Sequence, residues 1–236
     1  MKVEIWSDVV CPWCHVGLSR FEEAVRRLGW DEQDIQIEYR PFELDPTVPA
    51  AGVDLGDYLK HKFGPNASIA SIEGRIGEAG AEVGIDFDWA GVRRVNTFDA
   101  HRLLGWALAT AGPATQVQLK RRLMKAYFEE VGDVAGHESL ATYAAEVGLD
   151  RDDALAVLAS DRFGEEVRAG EAQARELDIH AVPTFVIEQR LAIPGAQDPD
   201  TFVTMLARMR SRLEDEAADA AALASGAACA ADDPNC

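Results

Sequence analysis

The chain has 236 residues, 47% of them hydrophobic and 27% charged, which is enough to bury a core in one large domain or in one domain that carries an insertion. Its 41 acidic and 23 basic residues give a formal net charge of −18, which repels phosphate backbones and argues against a nucleic-acid partner. No apolar run approaches the roughly 20 residues that a membrane-spanning helix needs, and the N-terminus "MKVEIWSD" shows no signal-peptide pattern. We therefore expect a cytoplasmic protein that has no membrane partner.

The first fifty residues predict a strand, a helix and a second strand. Apolar and polar residues alternate over residues 2–8. Pro12 suits the first position of a helix, where its missing N–H costs nothing, and apolar residues follow at helical spacing as far as Gly29. The stretch "IQIEYRPFEL" then returns to strand alternation. The CPWC sequence of Cys11 to Cys14 therefore falls at the junction of the first strand and the first helix.

The rest of the chain is mostly helical. Helix periodicity continues from about residue 54 to residue 159, and Gly112 and Gly148 fall at predicted helix ends. A further helix precedes the short strands "TFVIE" and "RLAIP", and Asp198-Pro199 opens a last amphipathic helix. This order predicts an α/β protein, a thioredoxin fold with an inserted α-helical domain. We divide it into residues 1–53 and 160–213 for the thioredoxin-like domain, 54–159 for the helical insertion, and 214–236 for a flexible, Ala- and Asp-rich tail.

Four cysteines are too few for a fold held together by disulfides. The close pair Cys11 and Cys14 therefore needs its own explanation, and it has three interpretations. At a helix N-terminus the free N–H groups and the macrodipole favour a thiolate, so Cys11 would attack disulfides and Cys14, one turn later, would resolve the mixed disulfide. An inert structural disulfide is disfavoured in a reducing compartment. A zinc site would need further ligands, from Cys229 and Cys236 or from histidines. We favour the reactive dithiol, which needs no metal and no cofactor.

The stretch "HAVPTF" predicts a second part of the same site. Val182-Pro183 precedes a predicted strand, where a thioredoxin-type sheet carries a cis-proline loop that faces the CxxC pair. The backbone of Val182 would pair there with an extended substrate strand. Trp13, between the cysteines, either packs against apolar substrate or covers the site. Because Trp13 carries no charge, we expect a less acidic Cys11 than a histidine there would give, which suits a reductase or isomerase better than an oxidant.

The stretches "SDVVCPWCHVG", "NTFDAHRL" and "VPTFVIEQRLAIPGAQ", in this order, resemble the FrnE-like branch of the DsbA family of thiol–disulfide oxidoreductases. The resemblance extends to about Leu213. It implies exchange with protein thiols and disulfides, with Cys11 as the nucleophile, Cys14 as the resolver and Pro183 as the cis-proline after the substrate-pairing Val182. One departure is His15, where relatives often carry an aromatic residue.

Two alternatives remain open beside this resemblance. Glutathione-dependent isomerases of the hydroxychromene-carboxylate and kappa-transferase type share the architecture, but they use a serine-type site to activate glutathione. Glutathione, a low-molecular-weight thiol, would then be a co-substrate. The presence of both cysteines favours protein dithiol chemistry instead. A non-enzymatic alternative is a client-binding module that uses the groove beside Val182 without redox turnover.

Several residues have weaker claims to the site. The imidazolium of His15 could stabilise the Cys11 thiolate, or His15 belongs to a solvated helix face. Asp8 and Glu43 could relay protons to the buried cysteine, or they make local turn and strand-end contacts. We interpret "NTFDAHR", including His101, as structural contacts near a helix start.

The last predicted feature is the pair Cys229 and Cys236 in the tail. Exposed cysteines without a use are an oxidation hazard. We therefore keep the hypothesis that they form an auxiliary redox pair, which a flexible tail could bring to Cys11 for thiol–disulfide exchange.

Overall fold

The computed structural model describes residues 1–49 and 51–232, with the backbone alone for residues 71, 72 and 225–232. Its strands are β1 (Lys2–Ser7), β2 (Gln36–Pro41), β3 (Val53–Asp54), β4 (Arg93–Arg94), β5 (Thr184–Ile187) and β6 (Leu191–Pro194). A central sheet has the order β2-β1-β5-β6, in which β1 is parallel to β2 and antiparallel to β5. The first and last parts of the chain therefore meet at the centre of one mixed sheet, while β3 and β4 pair separately.

The helices are α1 (Pro12–Arg27), α2 (Leu55–Phe63), α3 (Ile69–Ala81), α4 (Phe98–Glu129), α5 (His137–Glu146), α6 (Arg151–Leu158), α7 (Gly164–Glu176) and α8 (Pro199–Asp232). Helix α4 is kinked at Gly112, where φ is 83°, and Pro113 follows. Because Pro113 lacks an N–H and Gly112 tolerates a positive φ, the two predicted helices on either side become one bent rod. The elements from β3 to α6 form the helical insertion.

Aromatic residues hold α1 and α8 against one face of the central sheet. Phe21 of α1 stacks on Phe185 of β5 at 5.0 Å between ring centroids, and Phe202 of α8 lies 4.7 Å from Phe185. Burying each such ring stabilises the fold by roughly 1.5–3 kcal/mol. The opposite face carries Trp6 and Val186, which pack against residues of α7 and the loop after it.

The helical insertion attaches to the sheet through the edge strand β2. The side chain of Gln116 in α4 accepts a hydrogen bond from Tyr39 N–H at 2.8 Å and donates one to Tyr39 C=O at 3.1 Å. A buried edge strand needs partners for its backbone groups, and an amide side chain supplies both a donor and an acceptor.

The C-terminal part corrects one expectation. A flexible tail is predicted from residue 214, but the backbone stays helical to Asp232, because the stretch is rich in alanine, the residue with the highest helix propensity. The described side chains from residue 214 to residue 224 are exposed. The side chain of Cys229 and the whole of Cys236 lie outside the described residues. Within the part of the chain that is described, no helix combines the length and apolar character that crossing a membrane requires.

Candidate active site

Cys11 is the N-cap residue of α1. Its backbone is extended, with φ −99° and ψ 110°, and Pro12 follows at the first helical position. The Cys11 carbonyl accepts hydrogen bonds from the N–H groups of Cys14, at 3.0 Å, and His15, at 3.3 Å. Cys11 and Cys14 are both free thiols. Cys11 keeps 4% of its surface exposed and Cys14 keeps none, so any contact with a substrate disulfide is made by Cys11.

The two thiols differ in acidity. The Cys14 thiol donates a hydrogen bond to Cys11, which lowers the pKa of Cys11, and the Cys14 amide N–H and the charge of Arg94 add to this effect against the opposing effect of burial. Burial raises the pKa of Cys14 well above its ordinary value, and the hydrogen bond to Cys11 raises it further. Cys11 therefore ionises first, as an attacking thiol should, and Cys14 keeps its proton.

A proline loop faces the dithiol. The Val182–Pro183 peptide bond is cis, and β5 begins at the next residue, beside the end of β1. The Cys11 thiol donates to the Val182 carbonyl over 3.7 Å. Among the described residues, the Val182 N–H has no hydrogen-bond partner. The loop thus leaves a backbone donor beside the reactive sulfur, where an extended peptide can pair with it.

The close approach of this loop to α1 depends on Gly17. A Cβ atom at Gly17 would lie 2.9 Å from Cγ of Pro183 and 3.2 Å from the backbone of Ala196, which is tighter than ordinary packing allows. The third residue after Cys14 therefore has to be small. The sequence alone does not predict this requirement, because a glycine in a helix does not indicate what packs against it.

Asp8 is fully buried beneath the dithiol. Its Oδ2 accepts a hydrogen bond from Leu44 N–H at 2.8 Å and lies 3.9 Å from Nη2 of Arg94, and its Oδ1 lies 3.5 Å from Nε2 of His101. Burial by itself raises the pKa of Asp8, but the imidazole of His101 and the charge of Arg94 outweigh it and bring the pKa to about 2. Asp8 is thus a permanent anion that raises the pKa of Cys11, rather than a group that exchanges protons near neutral pH.

Lys120 of α4 is a second buried charge at this site, with none of its surface exposed. Its Nζ donates to the Ser7 carbonyl at 3.4 Å and lies 5.6 Å from the Tyr39 ring centroid. Burial lowers the pKa of Lys120 to about 8, although Cys14 and Asp8 oppose this. A lysine in such a position stabilises a thiolate on Cys14 by its charge.

His15 does not face the thiolate. Its Nε2 lies 3.1 Å from Glu129 Oε1, and its ring stacks on Phe128 at 5.8 Å, both at the end of α4. Burial lowers the pKa of His15 against the opposing effect of Glu129, so the imidazolium that the hypothesis requires is disfavoured. We assign His15 to the contact between α1 and the helical insertion.

Glu43 follows β2 and faces α7. Its backbone N–H donates to Glu171 Oε1 at 3.1 Å, and its carboxylate accepts from Asn96 Nδ2 at 3.3 Å. Burial, followed by the charges of Glu171 and Asp8, raises the pKa of Glu43 to about 7. Within the described residues Glu43 makes no hydrogen bond to either cysteine, so it is a neighbour of Asp8 and not of the dithiol.

Trp13 is half-buried and packs against two apolar clusters, one of which includes Val16, Ala79 and Ile85. It therefore joins α1 to α3 while part of its ring stays exposed next to the cysteines. Both interpretations of Trp13 are compatible with this position.

Three polar residues of the site, Arg94, His101 and Lys120, come from the helical insertion, and none of them is predicted from the sequence to belong to the site. The sequence does contain a pattern that indicates burial of Lys120. Val117, Met124 and Tyr127 recur around it at helical spacing, which places Lys120 on the buried face of α4. Arg94 lies in a two-residue strand and has no such pattern around it.

No group of three or more metal-ligating side chains occurs in the part of the chain that the structure describes. The two tail cysteines that the zinc alternative would recruit are not part of that set.

A mixed sheet with β1 and β5 at its centre, a dithiol at the start of α1 and a cis-proline loop beside it define a thioredoxin-fold protein with a two-cysteine site. The chain matches the DSBA-like thioredoxin domain family over residues 2–207. It belongs to this family, whose members are thiol–disulfide oxidoreductases. A probable DsbA oxidoreductase from Streptomyces coelicolor is 32% identical in sequence to this chain, and its crystal structure superposes with a TM-score of 0.79. The match covers 88% of this chain and 89% of the other.

Two more distant structures share the fold. The structure of the cytosolic disulfide reductase DsbM from Pseudomonas aeruginosa with GSH has a TM-score of 0.65, and its sequence is 18% identical to this chain. The match covers 91% of this chain and 100% of that one. A 2-hydroxychromene-2-carboxylate isomerase is 17% identical with a TM-score of 0.63, over 93% of this chain and 98% of that one. At these identities the likeness is one of fold alone.

Proposed function

We propose that this chain is a thiol–disulfide oxidoreductase or disulfide isomerase of the FrnE-like branch, which acts on protein substrates through the dithiol of Cys11 and Cys14. The observation that carries the proposal is the position of the Cys11 thiol, which lies at the N-cap of α1 and 3.7 Å from the Val182 carbonyl of the cis-proline loop, with the fully buried Cys14 one turn further on. In agreement with this position, the pKa of Cys11 is lowered by the hydrogen bond from Cys14, and that of Cys14 is raised by burial. A structural disulfide needs no such difference in acidity between its two thiols.

The proposed reduction of a substrate disulfide has two steps. The Cys11 thiolate attacks one substrate sulfur, so that a Cys11–substrate disulfide forms, the substrate S–S bond breaks and the other substrate sulfur leaves as a thiolate that takes a proton from water. Cys14 then gives its proton to water and attacks Cys11 Sγ, so that the Cys11–Cys14 disulfide forms, the Cys11–substrate bond breaks and the second substrate sulfur leaves as a thiolate, which takes up a proton. The dithiol has given two electrons and become a disulfide, and an external thiol has to reduce it for the next turnover.

The substrate surface favours an extended polypeptide. The Val182 N–H, which has no hydrogen-bond partner within the described part of the chain, and the Val182 carbonyl offer one donor and one acceptor to an extended strand. The partly exposed Trp13 offers an apolar contact. Protein thiols and disulfides are therefore the proposed partners, and a low-molecular-weight thiol such as glutathione is the proposed reductant of the oxidised pair. The cytosolic setting of the DsbM structure agrees with a cytoplasmic location.

The alternatives predict different outcomes. A glutathione-dependent isomerase has no specific feature of this site in its favour, since Cys11 occupies the start of α1 where that class uses a serine-type group. A client-binding module needs the groove beside Val182 but not the thiols. It would protect unfolded proteins fully after both cysteines are replaced by serine.

The test is reduction of insulin and reactivation of scrambled ribonuclease by the wild type, Cys11→Ser and Cys14→Ser. We expect Cys11→Ser to lose roughly 100-fold or more of both activities, because no attacking thiolate remains. Cys14→Ser should accumulate a mixed disulfide between Cys11 and the substrate, visible on non-reducing gels. Full activity in Cys11→Ser would contradict the proposal, and so would client protection by the double serine variant in the absence of any wild-type reductase activity.

A further inference from the structure

Arg94 is a buried arginine of the helical insertion that lies next to the dithiol. It is 5% exposed and belongs to β4. Its Nη1 donates to the carbonyl of Val10 at 3.4 Å, and Val10 is the residue that directly precedes Cys11. Its Nη2 lies 3.9 Å from Asp8 Oδ2, and its guanidinium lies 5.0 Å from the ring centroid of Tyr58.

The hydrogen bonds of Arg94 are fewer and longer than those of the other buried arginine on the same insertion. Arg102 donates to carbonyls of the α6–α7 region, to Val157 at 2.7 Å and to Arg162 at 2.9 Å, and pairs with Asp99 at 2.6 Å. Arg94 has one long backbone bond and one distant carboxylate, and its Nε has no hydrogen-bond partner within the described residues.

A guanidinium taken out of water costs several kcal/mol unless anions and acceptors compensate it. The single carboxylate of Asp8 at 3.9 Å compensates Arg94 only in part. An anion that forms on Cys11, one residue from the carbonyl to which Arg94 is bonded, would supply the rest. The incomplete pairing of Arg94 in the thiol form is therefore the arrangement expected of a group whose second partner is a thiolate.

We propose that Arg94 is a positioning residue of the dithiol, which holds the backbone in front of Cys11 and stabilises the Cys11 thiolate across the boundary between the two parts of the molecule. This inference rests on the proposed function and adds to it the source of the thiolate's stability. The charge of Asp8 raises the pKa of Cys11, and that of Arg94 lowers it. Lys120, whose pKa the charge of Cys11 raises, is the other cation beside the dithiol, and His101 faces Asp8. Removing Arg94 therefore raises the pKa of Cys11 in two ways, by losing a cation and by leaving Asp8 less compensated.

The stabilised thiolate also affects the redox equilibrium. A thiolate that is stabilised in the reduced protein makes the dithiol a poorer reductant and its disulfide a stronger oxidant. Loss of Arg94 should consequently shift the equilibrium with a glutathione buffer toward the disulfide form of the protein.

The experiment compares Arg94→Gln and Arg94→Lys with Arg102→Gln in the full chain. For each reduced protein, the rate of iodoacetamide alkylation of Cys11 is measured against pH with site resolution by mass spectrometry, together with thiolate absorbance at about 240 nm. We expect Arg94→Gln to alkylate Cys11 roughly tenfold more slowly than the wild type at about pH 6, since one nearby charge commonly changes an ionisation equilibrium by this factor. Arg94→Lys should recover most of the rate because it keeps the cation.

Arg102→Gln is the matched control. It loses bonds of another buried arginine and should lower the melting temperature, but the pH profile of Cys11 should stay that of the wild type. A folded Arg94→Gln variant with the wild-type profile would overturn the inference, as would an equal change in Arg102→Gln.

A double variant keeps the test decisive if Arg94→Gln does not fold. Asp8→Asn with Arg94→Gln removes both buried charges together, and it should alkylate Cys11 more slowly than Asp8→Asn alone. Equal rates in these two proteins would overturn the direct effect of Arg94. These measurements concern the ionisation of Cys11 and not turnover, so failure to reduce insulin with a shifted profile would count against the proposed function alone.

Discussion

The thioredoxin-like part and the helical insertion contribute to one site in different ways. The first supplies the thiols of Cys11 and Cys14, on a short connection after β1, together with the buried anion Asp8. The second supplies buried cations, because Arg94 and Lys120 reach the same place from β4 and α4. The pKa of Cys11 thus depends on charged side chains from both parts, Asp8 and Arg94, and both side chains are buried. Reactivity at this site depends on packing between the two parts as much as on the CPWC sequence.

Replacing Lys120 with methionine should show the largest effect on stability. In the folded state burial lowers the pKa of Lys120 from 10.5 to about 8. A base with a lowered pKa costs stability below its folded pKa, and this cost disappears as the pH rises from 8 to 10.5. Lys120→Met should therefore raise the free energy of unfolding near pH 7 by roughly 1–3 kcal/mol, and the gain should shrink toward pH 10.

The same variant should resolve mixed disulfides more slowly, because the Cys14 thiolate loses a stabilising charge. Urea unfolding at several pH values and a gel assay for mixed disulfides measure the two effects. Lys125→Met, on the exposed side of α4, is the control and should change neither. A loss of stability in Lys120→Met at pH 7 would contradict the assignment of Lys120 as an undercompensated buried charge.

Gly17→Ala tests the contact between α1 and the proline loop. The added methyl group would lie 2.9 Å from Pro183 Cγ, and such overpacking costs roughly 1–3 kcal/mol. Because Pro183 directly follows Val182, the residue proposed to pair with substrate, we expect insulin reduction to fall together with the melting temperature. Gly74→Ala, in α3, meets nothing within 4 Å and should be neutral or stabilising. Equal behaviour of the two variants would show that the loop moves aside freely.

Glu43→Gln tests a half-buried acidic residue that the thioredoxin-like part places near Asp8, through the pH dependence of stability. Burial, with the charges of Glu171 and Asp8, raises the pKa of Glu43 from 4.5 to about 7. An acid with a raised pKa favours the folded state while protonated, and stability is lost as the pH rises from 4.5 through 7. The neutral glutamine should therefore leave the melting temperature near that of the wild type at about pH 5 and raise it at about pH 8.

Glu176→Gln, an exposed change near the end of α7, is the control for the removal of one negative charge from the surface. If Glu43→Gln gave the same gain at both pH values, the carboxyl would not titrate in this range, and its contact with Glu171 would have no electrostatic consequence.

The smallest effect is expected from the auxiliary pair. Truncation after Leu213 removes side chains that are exposed where they are described, so the fold should remain. If Cys229 and Cys236 exchange disulfides with Cys11, isomerase turnover should slow and simple reduction should change less. The Cys229→Ser/Cys236→Ser double variant, which keeps the helix, is the matched comparison. Identical activities in all three proteins would leave the tail cysteines without a redox role.

Local patterns in the sequence predict the part of the site that the thioredoxin-like part supplies. Cys11 before Pro12 indicates a helix start, and Val182-Pro183 before a strand indicates the facing loop, since both depend on neighbours in the chain. The charges of the insertion depend on packing between distant segments. Arg94 is more than 80 positions from Cys11 in the sequence, and nothing in its own surroundings indicates burial.

The same difference applies to acidity. The uncharged Trp13 predicts a Cys11 that is less acidic than a histidine in that position would give, and this comparison stays a prediction. In the structure the hydrogen bond from Cys14 and the charge of Arg94 lower the pKa of Cys11 by another route. His15 illustrates the reverse case, because its position in the chain suggests help to the thiolate while its side chain contacts Glu129.

The most direct measurement is the alkylation rate of each cysteine in the reduced wild type as a function of pH, resolved by mass spectrometry. The hydrogen bonds that Cys14 donates to Cys11 predict that Cys11 is the more acidic thiol and reacts at lower pH than Cys14, which is buried, stays protonated and reacts only in strongly alkaline solution or after unfolding. Cys11 should be faster by roughly 100-fold or more at about pH 7. Equal rates, or a faster Cys14, would contradict the assignment of Cys11 as nucleophile and Cys14 as resolver.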